Sequence, residues 1–341
     1  MQPKVTKPTL SVLFSIDTFI SPYREHFSNK FQLNWSSIPF TPPPKRAFDF
    51  LTFPFKLTSK KIKTFFSSRG TDIIFVEFTD ETLALVSKLR KEKMIVTRLH
   101  RYELFNLPSA DWSAVDLVIV VNNWMGKNLE QKVPSLKGKI VCIPNFVDTN
   151  YWHKSENRLV NNQLSLVGNI EERKGHDKAI TAFSKILEKN KNLRLNIIGK
   201  SKDQSFSDKL NSLVLDLGLS DNVKFKGYVE DLRHEFHKTD IILSFSKHES
   251  THLTLFEGLS CGAFPLSRNW EGVEEFLPSS NIFTDDFDFA DKVLSFYNKK
   301  EKERFEIIDN LAASTLPRFS SPDPREVMSD IILKKYLELK N

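Results

Sequence analysis

Short apolar runs recur along this chain, and stretches with a helical period fill the gaps between them. An apolar run too short for a helix reads as a strand buried on both faces, and the periodic stretch after it as a crossover helix. Strands are predicted at Leu10–Ile16, Ile73–Phe78, Met94–Arg98, Leu117–Val121 and Lys139–Ile143, with helices at Thr82–Lys91 and Trp124–Lys132. Further on, strands are predicted at Leu164–Val167, Leu193–Ile198, Val223–Lys226, Ile241–Phe245 and near Ala263–Ser267. Their helices fall at His176–Lys189, Ser205–Leu217, Asp231–His237 and Leu255–Ser260. The class is α/β, and 341 residues suffice for two domains, each with its own core. The expected domains are residues 1–150 and 162–318, joined by the polar, aperiodic stretch 149–161. Asp323 and Pro324 are start signals for a last helix over 324–340. The segment 36–67, with its clustered Phe and Lys, breaks the α/β pattern.

Composition excludes several classes. The two cysteines, Cys142 and Cys261, lie too far apart for a disulfide framework or a zinc site, so a reduced, cytoplasmic protein is expected. The run Leu10–Ile16 ends at Asp17 and reads as a strand, not a signal peptide. No stretch reaches the ~18 apolar residues of a membrane span. Charge is unevenly shared: residues 1–160 hold 23 Lys and Arg against 14 acids, and residues 161–341 hold 26 against 29. A basic first half suits an anionic partner such as a membrane surface or a phosphorylated acceptor, and no nucleic-acid motif accompanies it. Residues 45–66 can be read two ways, as a helix lying on a membrane at the inner face or as a partly buried helix with a solvated face.

The chemistry concentrates in SKHESTHLTLFEGLSCGAFPLS. Glu249 and Glu257, with seven residues between them, follow the strand Ile241–Phe245. Thr254 to Gly258 reads as a first helical turn and Gly262 as its stop. A strand, a short loop and a helix N-terminus form an anion site, and carboxylates beside it suit sugar hydroxyls, which donate the hydrogen bonds that carboxylates accept. An anion cradle between two carboxylates matches a nucleotide-sugar. Lys174, taken alone, is a solvated lysine, but at a helix start it opposes the dipole, so its placement calls for a reason.

This segment resembles the donor site of family-four retaining glycosyltransferases with the GT-B fold, where two glutamates with seven residues between them precede a small-residue helix. Upstream, LSLVGNIEERKGHDKAITAF is similar to the family's first strand and helix of the second domain, with Gly168, Lys174 and Gly175 matching. Asn169 stands where the family has arginine, and Arg173 is the neighbour that could compensate. VCIPNFVDTNYW, with Pro144, Asn145, Val147 and Asp148, resembles the end of the family's first domain. VTRLHRYELF resembles its histidine-bearing strand end, at His100, and Gly227 and Tyr228 match its Gly-Tyr. The matches cover residues 95–280.

The resemblance implies two doubly wound, Rossmann-like domains facing a cleft, with the last helix packed back on the first domain. The second domain would hold a UDP- or GDP-sugar through Gly168, Asn169, Arg173, Lys174, Gly227, Tyr228, Glu249, Thr254, Leu255 and Glu257. Glu257 would take the ribose, Glu249 the transferred sugar, and the Thr254 and Leu255 amides the phosphates. Lys174, Glu249 and His100 would be catalytic, with the leaving phosphate accepting the acceptor's proton. His100 read alone is a structural histidine. The first domain would hold a glycan, lipid-linked or cell-envelope acceptor. No metal and no cofactor are expected. Asp286 and Asp288 imitate a metal-binding Asp-x-Asp but read as acids capping a helix. Whether Trp270 and Glu271 border the pocket stays open. Asn169 and the lack of a glycine-rich loop in FSIDTFISPYR also fit a catalytically silent partner or glycan-binding subunit. A nucleotide-sugar epimerase of similar fold would share the phosphate site.

Overall fold

The computed structural model describes residues 7–39, 47–89, 92–201 and 203–341. Contacts divide the chain into two compact units, Met1–Pro144 with Pro322–Asn341, and Asn145–Ser321.

The first unit holds strands β1 (Thr9–Phe14), β2 (Gln32–Ser37), β3 (Ile73–Glu77), β4 (Met94–Arg98), β5 (Leu117–Val120) and β6 (Ile140–Cys142). They form one sheet in the order β2-β1-β3-β4-β5-β6, and every pairing is parallel. Its helices include α1 (Arg24–Lys30), α2 (Ala47–Ser67), α3 (Glu81–Leu89) and α4 (Asn123–Lys132). Successive strand residues feed opposite faces. Val12, Phe75 and Val96 pack with Phe27 of α1 on one face, while Leu13, Ile74 and Ile95 pack with Leu83 and Met125 on the other.

The second unit holds β7 (Gln163–Val167), β8 (Arg194–Ile198), β9 (Val223–Gly227), β10 (Ile241–Ser244), β11 (Phe264–Arg268) and β12 (Ile282–Phe283). The order is β12-β11-β10-β7-β8-β9, again all parallel. Its helices are α5 (His176–Leu187), α6 (Gln204–Asp216), α7 (Arg233–His237), α8 (Leu253–Ser260), α9 (Asp286–Asn298), α10 (Glu301–Thr315) and α11 (Pro317–Ser320). The chain runs outward from β7 in one direction and from β10 in the other. The switch point between these strands is where an open α/β sheet leaves a crevice for a ligand. The last helix, α12 (Pro324–Lys340), belongs to the first unit, where Met328 and Ile332 are fully buried in the core.

Several expectations change. The stretch 149–161 packs onto the second unit: Trp152 meets Phe236 at 5.5 Å between ring centroids, and Arg158 bonds Asp309 at 2.8 Å. Its few aromatic and charged anchors outweigh its polar average, and the second unit starts already at Asn145. Edge strand β2 escaped the sequence reading because an edge strand with one wet face lacks a continuous apolar run. Residues 90 and 91 of the helix expected at Thr82–Lys91 lie outside the described residues, as do residues 40–46, which include the first two of the segment 45–66. The rest of that segment is helical, within α2.

Candidate active site

Two loops at the C-terminal edge of the second sheet flank its switch point. The first runs from Gly168 to Gly175, between β7 and α5. A β-carbon on Gly175 would sit 2.4 Å from the Phe245 carbonyl oxygen. Only glycine allows that approach, and Gly175 also takes a left-handed φ of +69°. The loop therefore presses onto the end of β10, and the Lys247 N–H bonds the Arg173 carbonyl at 3.0 Å. Gly199 does the same for β8: its β-carbon would lie 1.9 Å from the Gly168 carbonyl oxygen.

This closeness brings the two cations onto Glu249. Lys174 Nζ lies 2.5 Å and Arg173 Nη1 3.1 Å from Glu249 Oε1, which also accepts from Ser246 Oγ at 2.8 Å. Arg173 further bonds the His248 carbonyl and Glu171. Burial alone would raise the Glu249 carboxyl, but His252, Lys174 and Arg173 outweigh it and hold the group well below the usual carboxylate range. His252 is pushed down to about 3, first by burial and then by Lys174. It is neutral at pH 7, so the two permanent cations carry the effect on Glu249.

His252 was not singled out in the sequence. It is the N-cap of α8 with φ of 59°, a left-handed conformation rare for a residue with a side chain, and its Nδ1 lies 2.6 Å from Ser244 Oγ. Nothing in the residue type signals this, since Asn, Asp and Gly are the usual occupants. Behind it, the Leu255 N–H bonds the His252 carbonyl at 3.0 Å. The amides expected to face phosphates thus shift by one residue: Leu255 is occupied, and no hydrogen bond occupies those of Leu253 and Thr254 among the described residues.

Leu253, Thr254 and Glu257 are the only partly exposed residues of α8. At spacings of one, three and four they share one face. Thr254 on that face reaches the Val167 carbonyl at the end of β7, at 3.4 Å, so the face turns toward the Gly168 loop. The Glu257 side chain has no hydrogen bond or ion pair among the described residues, and burial raises its carboxyl to about 7. Asn169 is exposed on the same loop, and Gly227 joins the edge through its carbonyl, bonded by the Gly199 N–H at 2.8 Å. Tyr228 is 62% exposed, with Lys200 Nζ 4.1 Å from its ring centroid.

Other predicted positions fall elsewhere. His100 lies in the first unit, buried at the end of β4, with Nε2 2.8 Å from Glu77 Oε1. Burial depresses its pKa despite Glu77. Trp270 is a core residue, 2% exposed and bonded to Ser267, not a pocket wall. Asp285 caps α9 by accepting from the Phe287 and Asp288 N–H groups, while Asp286 pairs with Lys185 and Asp288 with Lys292. Among the described residues no group of three or more His, Cys, Asp or Glu is placed to hold a metal.

Known proteins match this architecture. Residues 149–310 match the family model described as Glycosyl transferases group 1. A crystal structure of HepE from Anabaena in complex with UDP superposes with a TM-score of 0.79 at 15% identity, covering 96% of this chain and 100% of that one. The chain has the GT-B glycosyltransferase fold. A glycosyltransferase from Rickettsia africae shares this GT-B architecture with a TM-score of 0.74 at 17% identity, covering 99% and 100%. The lipopolysaccharide outer core galactosyltransferase WaaB, in its apo form, gives 0.68 at 16%, covering 96% and 99%. Mannosylfructose-phosphate synthase from Agrobacterium fabrum is 29% identical over 147 residues, which span 40% of this chain and 32% of that protein. The GT-B site described above lies within the segment that the family model matches.

Proposed function

We propose that this protein is a retaining, metal-independent glycosyltransferase of the family-four type. It would move a sugar from a UDP- or GDP-sugar to a glycan, lipid-linked or cell-envelope acceptor held by the first unit, with His100 near the reacting sugar. The observation that carries the reading is the pairing of Lys174 and Arg173 with Glu249 at the switch point, beside the free N-terminal amides of α8. That cluster supplies cations and amides for a diphosphate and a carboxylate for sugar hydroxyls. Solved complexes of HepE with UDP, with UDP and glucose, and with UDP-glucose support a donor of this class. Gly168 and Gly227 leave room for the donor, Asn169 and Tyr228 border it, and Leu253 replaces Leu255 beside Thr254 as an amide donor.

The reaction would run without a divalent ion because charge on the leaving nucleotide meets Lys174, Arg173 and the helix dipole. Turnover is expected to persist in EDTA; activity lost on chelation and restored by magnesium or manganese would overturn this part. The competing reading, a silent GT-B subunit, is motivated by Asn169, whose amide brings no charge to a phosphate.

Glu257 provides the test of nucleotide binding. Ribose hydroxyls would give this unpartnered acid its hydrogen bonds, favouring the ionised form. Its pKa of about 7 then falls on binding, so UDP or GDP binding at pH 7 should release protons and weaken as pH drops below 7. Calorimetry in buffers of different ionisation enthalpy measures the release. Glu257→Ala should abolish it and cost roughly 1.5–3 kcal/mol of affinity. Unchanged affinity for both nucleotides would remove Glu257 from the site, and no nucleotide binding by the unsubstituted protein would favour the silent subunit.

We place the protein at the inner face of a membrane, in the cytoplasm. No described helix is long and apolar enough to cross a membrane. The last turns of α2 instead run inside out: Lys60 and Thr64, with Ser68 just past the helix, are buried, while Ile62, Phe65 and Phe66 are exposed beside Lys61 and Lys63. Apolar side chains rimmed by cations suit an anionic lipid surface.

A further inference from the structure

A cavity of about 390 Å³ opens in the first unit beside the turn Arg101–Phe105. Thr79, Asp80, Glu81, Tyr102, Glu103 and Asn106 are among its lining residues. Glu103 is 3% and Thr79 2% exposed. Glu103 Oε2 accepts from the His100 N–H at 2.8 Å. The Thr79 hydroxyl and N–H and the Tyr102 hydroxyl lie within hydrogen-bonding reach of the Glu103 carboxyl, but neither the Thr79 hydroxyl nor Glu103 Oε1 is well aligned with a partner among the described residues. Poorly made hydrogen bonds on buried groups are costly, so Glu103 and Thr79, side by side at the cavity wall, gain from a partner that completes them.

The chemistry selects the class of that partner. Asp80 and Glu81 are already tied to Lys60, at 3.6 and 3.0 Å. Lys88 also lines the cavity. Burial raises Glu103 to about 8, so the empty cavity holds a neutral carboxyl. It is therefore no trap for a cation. A neutral carboxyl and a hydroxyl both donate and accept, which is the pattern of a sugar hydroxyl. Tyr102, 57% exposed, adds an aromatic wall against which the C–H face of a pyranose can lose water.

We infer that this cavity is a carbohydrate subsite, binding a neutral pyranoside through Glu103 and Thr79 with Tyr102 against the ring face. That the pyranoside belongs to the acceptor rests on the proposed function; the binding itself does not.

The test uses the full chain, four neutral probes (methyl α-glucoside, methyl α-galactoside, methyl α-mannoside and methyl N-acetyl-β-glucosaminide) and glucosamine as a cationic control. Saturation-transfer NMR titrations should show at least one binding with Kd on the order of 1–10 mM. Tyr102→Ala and Glu103→Leu should each weaken it tenfold or more. Glu103→Gln, which keeps a donor and an acceptor, should stay within threefold. Tyr102 is on the surface, so its variant keeps the inference testable should Glu103→Leu fail to fold. Saturation by none of the four probes, indifference to Tyr102→Ala, or binding of glucosamine alone would overturn the subsite. UDP added to the same samples reports separately on the donor site. Failure of the unsubstituted protein to bind UDP counts against the proposed function and leaves the sugar result standing.

Discussion

Glu249→Gln is expected to bind UDP or GDP more tightly than the unsubstituted protein while turning over far more slowly. In the empty site Glu249 is ionised and occupies both cations that a diphosphate would need, Lys174 at 2.5 Å and Arg173 at 3.1 Å. A diphosphate must compete with that carboxylate or share its partners. Glutamine keeps the shape and can still bond Ser246, but it removes the competing charge. Lys174 and Arg173 then meet the nucleotide unneutralised, and a tenfold gain in affinity, about 1.4 kcal/mol, is a reasonable size. The rate moves the other way. A carboxylate that turns to the sugar when the diphosphate takes its cations acts mainly in the transition state, and its loss appears in kcat. A fall on the order of a hundredfold or more is expected.

Two measurements check this: calorimetry with the free nucleotide, and nucleotide release from the sugar donor under saturation. Weaker nucleotide binding by Glu249→Gln would mean that the carboxylate holds Lys174 and Arg173 in their binding positions instead of competing for them. Lys174→Ala is the control, because it should lose affinity under either account. A variant with normal turnover would remove Glu249 from the chemistry altogether.

The separate ingredients of this cluster were legible in the sequence; their contact was not. Lys174 stood out as a cation at a helix start and Glu249 as an acid after a buried strand. The sequence reading sent the first to phosphate and the second to sugar. Their direct pairing depends on Gly175 lying against the Phe245 carbonyl, a long-range approach that no local pattern encodes. The left-handed His252 is likewise set by the loop it closes and not by its own preference. The central strands of both sheets were readable for a simple reason: burial on two faces makes them continuous apolar runs, such as Ile73–Glu77 and Ile241–Ser244. Polar β2 gave no such run. Helix α10, with few apolar residues among its charges, was also missed.

The same limit applies to the charges that end two of the readable strands. Glu77 and Arg98 lie at the ends of β3 and β4, and only the parallel register sets them opposite one another. Both are buried, at 1% exposure each. Glu77 accepts from Arg98 Nε at 3.0 Å and from Nη2 at 2.7 Å, and His100 Nε2 lies 2.8 Å away. Glu77→Ala should therefore destabilise the first unit by about 3–5 kcal/mol, because it strands a guanidinium out of water. What remains to Arg98 is the Phe19 carbonyl at 2.7 Å and the Tyr23 ring at 4.7 Å. The pair need not be stabilising in itself. Glu77→Leu combined with Arg98→Met leaves no charge to strand and should recover most of the loss. Chemical unfolding of the single and double variants separates these outcomes. A double variant as unstable as the single would trace the loss to packing and not to charge.

The acid limb of stability follows from the same cluster. Burial opposes the charge on Glu77, but Arg98 and His100 prevail and lower its pKa, so the native state resists its protonation. Stability from Glu77 is present above the ordinary carboxylate range and is lost as pH falls through the folded value. His100 is depressed too, so its native form takes up a proton later than the unfolded chain does. Its contribution begins to fall below about pH 6.5, the ordinary value for histidine. The unsubstituted protein should thus lose unfolding free energy steadily from about pH 6.5 downward. His100→Gln should flatten the upper part of that slope, to which the depressed His176 and His252 also contribute, and leave the lower part, which Glu77 shares with Glu249. An unchanged slope between about pH 6.5 and 5 would show that His100 titrates alike in the folded and unfolded chain.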